Sequence, residues 1–421
     1  MSKTKVAVHH LGGCNRCAWQ TLAIADWDEY NLVYHSLLNE GDDVPENLDV
    51  DVLVLTGYAT KADMKKLKKL NAGATRVLAY GTCPTTGGIF GLSNQRGGEV
   101  ISVCNELFSD YTLMGCPPSP DVLRDGLVKD AEGGIQPLCK TCNRSFQEET
   151  FMEITRPYAI ESEELCYNNQ GHPCSGVVAG TCSQRCVDFN APCRGCVNLI
   201  ECPSLGMVSY FGTMARQVEV ETVANMWTTD KLGDGPDDLT ESMVDVVGTF
   251  FRFHLACAFH QSGKLPSNGN VFSDIMVGRP LEEAIQIAAT IYGSNGIQVA
   301  LSMIDAYEKT MNFTPSKETV ELRKKLRETQ EKWMKLPSPP VYNNYSEVAK
   351  EIAEYAGNEV LSNLFFFGFR TPIKNTEYPF ETYSAKAFEP SAVEASIEQE
   401  NCSLKFSTDD KGILREWSCE L

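Results

Sequence analysis

Six cysteines lie within the 31 residues from Cys166 to Cys196, and this run constrains the fold more than any other part of the sequence. Glycine and proline interrupt the run throughout, so it cannot build a hydrophobic core of its own. We expect a bound metal to fix its shape. The six cysteines are Cys166, Cys174, Cys182, Cys186, Cys193 and Cys196.

The composition of the whole chain excludes several classes of function. Its 421 residues include 17 cysteines and carry a formal net charge of -19 at pH 7. Such an acidic chain repels phosphate backbones, so nucleic acid is not expected as a partner. No apolar run approaches the roughly 20 residues of a membrane span, and the N-terminus lacks the apolar centre of an export signal. We therefore predict a cytoplasmic protein whose cysteines serve metal ligation or redox chemistry.

Residues 1–132 alternate short apolar strands with amphipathic helices, which predicts an open parallel sheet. Strands are expected at Lys5–His10, Asn31–Leu37, Val50–Thr56, Arg76–Tyr80 and Tyr111–Met114, and helices at Ala18–Tyr30 and Thr60–Leu70. Ligands of such sheets bind outside the carboxyl ends of the strands. Four cysteines follow strands in this way, namely Cys14, Cys17, Cys83 and Cys116.

These four cysteines are expected to meet at one edge of the sheet. Four converging thiolates suit a 4Fe-4S cluster, and the glycines beside them allow the backbone to approach a bulky ligand. The alternative is that Cys83 and Cys116 are small buried hydrophobic residues, while Cys14 and Cys17 form a redox or zinc pair.

Residues 133–265 form a second cysteine-rich region, in which the regular alternation stops. It holds eight candidate ligands, the number that two further 4Fe-4S clusters require. They are Cys139, Cys142, Cys166, Cys174, Cys182, Cys186, Cys193 and Cys196. Spacing does not show which of them share a cluster. Two zinc sites would use the same thiolates, and Cys202 is an alternative ligand.

The motifs around these cysteines resemble the small subunit of nickel-iron hydrogenases, in particular the methanogen type represented by deazaflavin-reducing and methyl-viologen-reducing enzymes. They cover roughly residues 4–262 in order. The motifs are Cys14-x2-Cys17, Gly81-Thr82-Cys83, Gly115-Cys116-Pro117-Pro118, Cys139-x2-Cys142-x-Arg144, Cys166 to Cys174 with Gln170-Gly171, Ala191-Pro192-Cys193-Arg194-Gly195-Cys196, and Val247-Gly248-Thr249-Phe250-Phe251-Arg252-Phe253.

The resemblance implies an α/β protein. A flavodoxin-like parallel sheet domain over 1–132 would hold the proximal cluster, and a ferredoxin-like bicluster domain over 133–265 the medial and distal clusters. A mostly helical C-terminal extension would follow over 266–421. Three 4Fe-4S clusters on the twelve cysteines imply an electron-transfer subunit of a multisubunit oxidoreductase. The implied partners are a hydrogenase large-subunit-like protein, docked at the proximal cluster, and a further redox subunit with a flavin or iron-sulfur group.

One position departs from the family in a way that bears on chemistry. In the family, a glutamate proposed to relay protons to the nickel site follows the second cysteine of the first pair, and here that residue is Ala18. A methyl group cannot carry a proton. The leading hypothesis is therefore electron relay without hydrogen activation. The alternatives are the small subunit of an active nickel-iron hydrogenase, and a zinc- or cluster-stabilised structural interaction module.

The C-terminal third begins with two predicted helices, Leu281–Tyr292 and Ile297–Met311. On physical grounds they form a structural hairpin. The segment also resembles the part of the hydrogenase large subunit that carries its first two nickel-binding cysteines, which would fall on Tyr292 and Asn295. Neither side chain offers nickel a thiolate. This reading predicts that the hairpin packs near the proximal cluster. The last 50 or so residues are expected to be irregular, with Cys402 and Cys419 lacking partners at metal-ligand spacing.

Overall fold

The computed structural model describes residues 3–24, 27–39, 45, 48–107, 111–118, 120–128, 136–147, 154–156, 164–180, 182, 186–189, 192–197, 210, 243, 245–258, 265–317, 320–321, 323–324, 327–328, 331, 390–399 and 402–421. Seven strands lie in the first region: β1 (Lys5–His10), β2 (Asn31–His35), β3 (Val50–Thr56), β4 (Ala59–Thr60), β5 (Ala74–Tyr80), β6 (Val100–Ile101) and β7 (Tyr111–Leu113). Five helices accompany them: α1 (Arg16–Ile24), α2 (Met64–Ala72), α3 (Thr82–Thr86), α4 (Val103–Leu107) and α5 (Pro120–Val128).

Five of these strands form one parallel sheet in the order β2-β1-β3-β5-β7. Counted along the sheet strands alone, this is the flavodoxin-like order, so the predicted fold class is confirmed. The central strand β3 is buried at every position except Asp51, as expected for a parallel strand covered on both faces. Each large aliphatic side chain buried there contributes about 1.5–3 kcal/mol to folding.

Two predicted helix boundaries in this region were wrong. Helix α1 begins at Arg16 and ends at Ile24, and the chain turns over Trp27–Tyr30 instead of continuing as a helix. The indole of Trp27 is buried in the core beside the sheet, which draws the chain away from the helix axis. Helix α2 is preceded by a 3-10 turn at Lys61–Asp63, where the Asp63 carboxylate accepts hydrogen bonds from the backbone and hydroxyl of Thr60.

The cysteine-rich region consists of short 3-10 turns around a small core. The described turns are Leu138–Thr141, Asn168–Gln170, Ser175–Val177 and Cys186–Phe189. Their core contains the side chains of Leu138, Tyr167, Cys174, Ala179, Val187 and Cys193. Cysteines thus supply part of the core itself, consistent with a segment that depends on what its thiols bind.

The C-terminal third packs on the rest of the chain. Its described elements, with one helix that precedes them, are α6 (Val246–Phe250), α7 (Val271–Met276), α8 (Leu281–Ile291), α9 (Gly296–Thr310), β8 (Glu394–Gln399), β9 (Cys402–Thr408) and β10 (Leu414–Glu420). Helices α8 and α9 confirm the predicted hairpin to within one residue. The largest hydrophobic cluster joins Phe90, Phe253, Ile285 and Phe406, so all three predicted regions share it.

The expectation of an irregular C-terminal tail was wrong. Strands β8, β9 and β10 form an antiparallel sheet whose inner face packs on α9. Strand β9 alternates buried and half-exposed or exposed residues from Cys402 to Thr408, which is the period-two pattern of a sheet covered on one face. In the described part of the chain no helix is both long and apolar enough to cross a membrane.

Candidate metal centre

Three sheet-edge loops hold the first set of four cysteines. Cys14 and Cys17 follow β1, Cys83 follows β5, and Cys116 follows β7. Backbone bonds tie the last two loops together: the Thr82 amide donates to the Gly115 carbonyl at 3.0 Å, and the Gly115 amide donates to the Thr82 hydroxyl at 3.0 Å. The parallel sheet therefore presents these loops side by side at its carboxyl edge.

Electrostatic coupling shows that the four thiols lie close together. Burial raises the pKa of Cys17 well above its usual range, and the charges of Cys116 and Cys14 raise it further. The pKa of Cys83 is raised by burial and then by Cys17 and Cys14. For Cys116 the causes of the raised pKa are burial, Cys83, Cys196 and Cys14. The structure thus brings together the four residues that the sequence assigned to the sheet edge.

Glycine makes room for two of these thiols. At Gly81, where φ is +107°, an added Cβ would lie 3.0 Å from the Cys17 sulfur. At Gly88 it would lie 2.6 Å from the Cys83 sulfur. A side chain at either position would occupy space beside the sulfur atoms, so the backbone forms a cradle there.

A second set gathers in the cysteine-rich region and consists of Cys139, Cys142, Cys166 and Cys174. Burial raises the pKa of Cys174 to about 12, and the charges of Cys139 and Cys166 add to that rise. Burial also raises the pKa of Cys166, with a contribution from Cys142. A Cβ on Gly176 would lie 3.2 Å from the Cys139 sulfur and 3.7 Å from the Cys174 sulfur.

Three of the remaining cysteines of this region, Cys186, Cys193 and Cys196, form a third set. The side chains of Cys186 and Cys193 are hydrogen-bonded, and that bond, burial and the nearby charges raise the pKa of Cys193. Cys196 is one of those charges. Cys182 packs against the hydrophobic cluster to which Cys196 belongs. Cys202 lies outside the described residues.

Direct contacts order the three sets. The Cys193 amide donates to the Cys174 sulfur at 3.2 Å, which joins the third set to the second. The Thr82 hydroxyl donates to the Cys196 carbonyl at 2.6 Å, and the charge of Cys196 raises the pKa of Cys116. The set that contains Cys196 therefore lies between the sheet-edge set and the set that contains Cys139.

Thiols arranged in this way would need a positively charged group to be stable as thiolates. Burial raises the pKa of Cys17, Cys116 and Cys166, and neighbouring thiolate charges raise it further, while Arg16 and Arg144 are the cations that act to lower it. Iron or zinc would deprotonate such thiols on binding. Within the described ranges, no three His, Cys, Asp or Glu side chains converge as the ligands of one metal ion do. Soft thiolates gathered in this way fit iron-sulfur clusters, each of which takes four cysteines.

The helical hairpin lies directly on the Cys14–Cys17 loop. Arg16 donates from Nη2 to the carbonyl of Ala289 at 2.5 Å and to that of Gly293 at 3.2 Å. A Cβ on Gly293 would lie 3.2 Å from Asn15 Oδ1 and 3.6 Å from the Cys14 Cα. The turn between α8 and α9 therefore covers this edge of the first cysteine set.

A buried ionic network also fastens the hairpin to the third cysteine set. The carboxylate of Glu283 on α8 accepts hydrogen bonds from Arg194 and Arg252. Arg194 stands between Cys193 and Cys196 in the sequence, and its guanidinium also donates to Nε2 of His172 at 3.2 Å. Because all of these groups are buried, the network fixes the position of α8 relative to the cysteine loops.

Sequence reasoning overlooked Arg16, Glu283 and the pair Cys402 and Cys419. The first two act over more than thirty positions of the chain, from Arg16 to Ala289 and from Glu283 to Arg252, and no local spacing reveals such contacts. A signal for Glu283 was present: two adjacent glutamates open an otherwise apolar helix, and both are buried. Charged residues in such positions usually have a buried partner.

The known proteins that resemble this chain each match only part of it. Residues 14–129 match the protein family described as NADH ubiquinone oxidoreductase, 20 Kd subunit. The G subunit of the F420-non-reducing hydrogenase of Methanothermobacter thermautotrophicus is 28% identical, over 61% of this chain and 96% of the relative. The vhu G subunit of the F420-non-reducing hydrogenase of Methanocaldococcus jannaschii is 27% identical, over 46% of this chain and 81% of the relative. These relatives confirm the resemblance to methanogen-type hydrogenase small subunits.

One solved structure aligns with part of the chain. A chain of the NAD+-reducing NiFe-hydrogenase in its H2-reduced state covers 30% of this chain and 89% of its own length, at 20% identity and a TM-score of 0.27. The fold assignment rests on the strand order rather than on this alignment.

Proposed function

We propose that this chain, which is similar to hydrogenase small subunits, relays electrons through three 4Fe-4S clusters without activating hydrogen itself. The proposal rests above all on the linear order of the three cysteine sets. The set of Cys14, Cys17, Cys83 and Cys116 would hold the inner cluster. The set of Cys182, Cys186, Cys193 and Cys196 would hold the middle one, and the set of Cys139, Cys142, Cys166 and Cys174 the outer one.

Iron-sulfur clusters supply one-electron chemistry, with potentials that depend on nearby hydrogen bonds, charge and solvent exposure. The protein's part is to hold and tune them. Backbone amides supply hydrogen bonds to sulfur, as Cys193 does to Cys174 at 3.2 Å and Gly195 to Cys193 at 3.4 Å. The Thr82 hydroxyl, bonded to the Cys196 carbonyl, holds the inner and middle loops together. These contacts fix the spacing that electron transfer needs.

The inner end supports the second half of the proposal. Ala18 is fully buried in α1 and has no proton to give. The hairpin turn at Gly293 also packs against Asn15 and Cys14, where the resemblance would place the large subunit. Tyr292 and Asn295 offer no thiolate in that turn. A large-subunit-like partner would therefore dock around the hairpin rather than on the cysteine loop.

The outer end is the better place for electron exchange with a redox partner. Cys139 is exposed, whereas Cys174, Cys193 and Cys196 are buried. We propose that a flavin or iron-sulfur subunit approaches the chain beside Cys139. Electrons would then pass between that subunit and the buried inner end through the middle set.

Metal analysis tests this function. The full chain, purified anaerobically, should contain about twelve irons and about twelve acid-labile sulfides. Zinc without sulfide would contradict the proposal and favour a zinc-stabilised interaction module. Iron and sulfide in these amounts, with clusters that dithionite cannot reduce, would indicate a cluster-stabilised scaffold instead of a conductor. Nickel with hydrogen-dependent dye reduction in the purified complex would favour an active hydrogenase.

A further inference from the structure

Two cysteines that belong to none of the three sets lie side by side in the C-terminal sheet. Cys419 on β10 stands opposite Leu404 on β9, and Cys402 is two residues from Leu404 on the same face. The two are therefore diagonal neighbours, and their thiols are hydrogen-bonded to each other. Neither is in a disulfide. Both sit on the inner face, toward the hairpin of α8 and α9.

The surroundings of this pair favour thiolate chemistry. Cys402 is also hydrogen-bonded to the hydroxyl of Ser302 on α9, and Cys419 to the hydroxyl of Tyr292. The bond with Cys419 lowers the pKa of Cys402 to about 7, and the same bond, together with burial, raises the pKa of Cys419. Near neutral pH the pair thus shares one proton. A thiolate beside a thiol is the arrangement found in redox-active cysteine pairs.

A cavity lies between Cys419 and the loop that carries Cys14. It has a volume of about 370 Å³, and its walls include Gly13, Asn15, Tyr292, Gly293, Trp417 and Cys419. Asn15 immediately follows Cys14, and its buried Oδ1 accepts no hydrogen bond within the described part of the chain. On the opposite wall the indole of Trp417 donates to the Tyr292 hydroxyl at 3.1 Å. Cys419 and the Cys14 loop therefore face one small space.

We propose that Cys402 and Cys419 are a redox-active dithiol that exchanges two electrons with the inner iron-sulfur site, an inference that rests on the proposed function. On oxidation, the thiolate and the thiol give up two electrons between them, the one remaining S–H bond breaks and one S–S bond forms. The released proton leaves through the cavity. The two electrons leave one at a time, because a 4Fe-4S cluster changes charge by one electron. Reduction reverses each of these steps.

This assignment gives a role to the inner cysteine set, whose edge the turn between α8 and α9 covers. Each cluster carries single electrons, whereas a dithiol stores two, so the pair would serve as a two-electron terminus at the inner end of the relay. The cavity beside Cys419 provides the access that proton exchange needs, while Cys402 is buried behind it.

Thiol trapping on the intact chain tests the proposal. Anaerobic protein is poised with one-electron dyes from reducing to oxidising conditions, quenched in acid, unfolded and alkylated with light iodoacetamide. It is then reduced and alkylated with a heavy label, and the peptides are read by mass spectrometry. We expect the light label on Cys402 and Cys419 to be lost together on oxidation and regained on reduction. Cys104, a thiol outside all sets, should keep its light label after the same steps.

Variants identify the pair and its connection to the inner site. Cys402→Ser should leave Cys419 lightly labelled in every state, and Cys419→Ser should do the same for Cys402. Cys83→Ser, or chain stripped of iron, should abolish oxidation by the dyes, while glutathione disulfide still closes the pair. If the pair follows the dyes equally well without the inner site, the proposed connection is wrong.

The two proposals fail in different ways. In iron-replete protein, the pair could stay fully reduced both with oxidising dyes and with glutathione disulfide. That result would overturn the dithiol assignment but would not affect the proposed electron relay. Protein that contains no iron and no sulfide would contradict the proposed electron relay. It would also contradict the proposed exchange of electrons between the dithiol and the inner site. In that protein, closure by glutathione disulfide would still show whether the cysteines can pair.

Discussion

Arg16 donates a 2.5 Å hydrogen bond from Nη2 to the carbonyl oxygen of Ala289, 273 positions away in the sequence. Arg16 lies between Cys14 and Cys17, and Ala289 lies in the last turn of α8, where carbonyls lack partners within the helix. The guanidinium therefore caps the helix and places a positive charge at the negative end of its dipole. One side chain thus joins the inner cysteine loop to the hairpin that covers it.

Replacing Arg16 should loosen the hairpin. In Arg16→Gln, we expect a loss of about 1.5–3 kcal/mol for hydrogen bonds from a charged donor to buried carbonyls. Amide hydrogen exchange in α8 should accelerate correspondingly. The matched control is Arg76→Gln, since Arg76 donates to the carbonyl of Leu127 at 3.0 Å beside the sheet. Equal exchange in α8 for both variants would show that Arg16 does not hold the hairpin.

Removing Glu283 should weaken the third cysteine set as well as the fold. Glu283→Gln leaves Arg194 and Arg252 as buried cations without a carboxylate, which costs about 3–5 kcal/mol. Because Arg194 lies between Cys193 and Cys196, iron per chain should fall too. Glu308→Gln is the control, since Glu308 lies on the same hairpin and forms a buried pair with Arg323. The control should lose stability and keep its iron, and equal iron loss in both variants would contradict the role of Glu283.

The same network predicts a pH dependence. Burial acts to raise the pKa of Glu283, but the charges of Arg194 and Arg252 outweigh it and lower that pKa to about 2. A lowered pKa in the folded state contributes stability that is complete above the ordinary value of 4.5 and is lost as the pH falls toward 2. The difference in unfolding free energy between wild type and Glu283→Gln should therefore stay constant down to about pH 5 and shrink as the pH falls from there toward 2. A difference that grows over this interval would have the wrong sign.

A methyl group at Gly81 should disturb the inner set specifically. Gly81→Ala places Cβ 3.0 Å from the Cys17 sulfur at a φ of +107°. We expect a backbone cost of about 1–2 kcal/mol and the loss of up to about four irons per chain. Gly97→Ala is the control, since its φ is +86° with nothing within 4 Å of the new Cβ. It should share the backbone cost and keep all its iron, whereas full iron in Gly81→Ala would show that this cradle holds no cluster.

Cys182 and Cys202 compete for one ligand position in the middle set. Cys182 packs against the same hydrophobic cluster as Cys196, and we propose that it fills the position. Cys182→Ser should therefore lose about four irons per chain, the content of one cluster, while Cys202→Ser should lose none. Iron analysis of the two variants decides between them, and the reverse result would transfer the assignment to Cys202.

Much of the inner site could be predicted from local patterns. Apolar runs separated by helices fix a parallel sheet, and such a sheet brings the residues after its strands to one edge. That reasoning is enough to place Cys14, Cys17, Cys83 and Cys116 together. The pairing of the other eight cysteines could not be predicted in this way. Their segment has no periodicity, and contacts such as that of the Cys193 amide with Cys174 decide which thiols meet.

The C-terminal sheet was missed for a different reason. The alternation in β9 and the Asp-Asp-Lys-Gly turn before β10 are ordinary hairpin signals. However, neither Cys402 nor Cys419 has another cysteine at metal-ligand spacing in the sequence. In an antiparallel pair, residues far apart in sequence become diagonal neighbours. Only the register, with Cys419 opposite Leu404, shows that the two thiols adjoin.

A reductive titration that counts electrons tests the central claim most directly. The full chain, titrated anaerobically with dithionite and followed by visible absorbance and electron paramagnetic resonance, should take up about three electrons in one-electron steps, one for each 4Fe-4S cluster. Before the titration, thiol labelling should show that Cys402 and Cys419 do not form a disulfide in the starting protein. Cys83→Ser should take up about two. Uptake of no electrons would contradict the proposal that three clusters relay electrons. An equal electron count in wild type and Cys83→Ser would contradict the position of the inner cluster at the sheet edge.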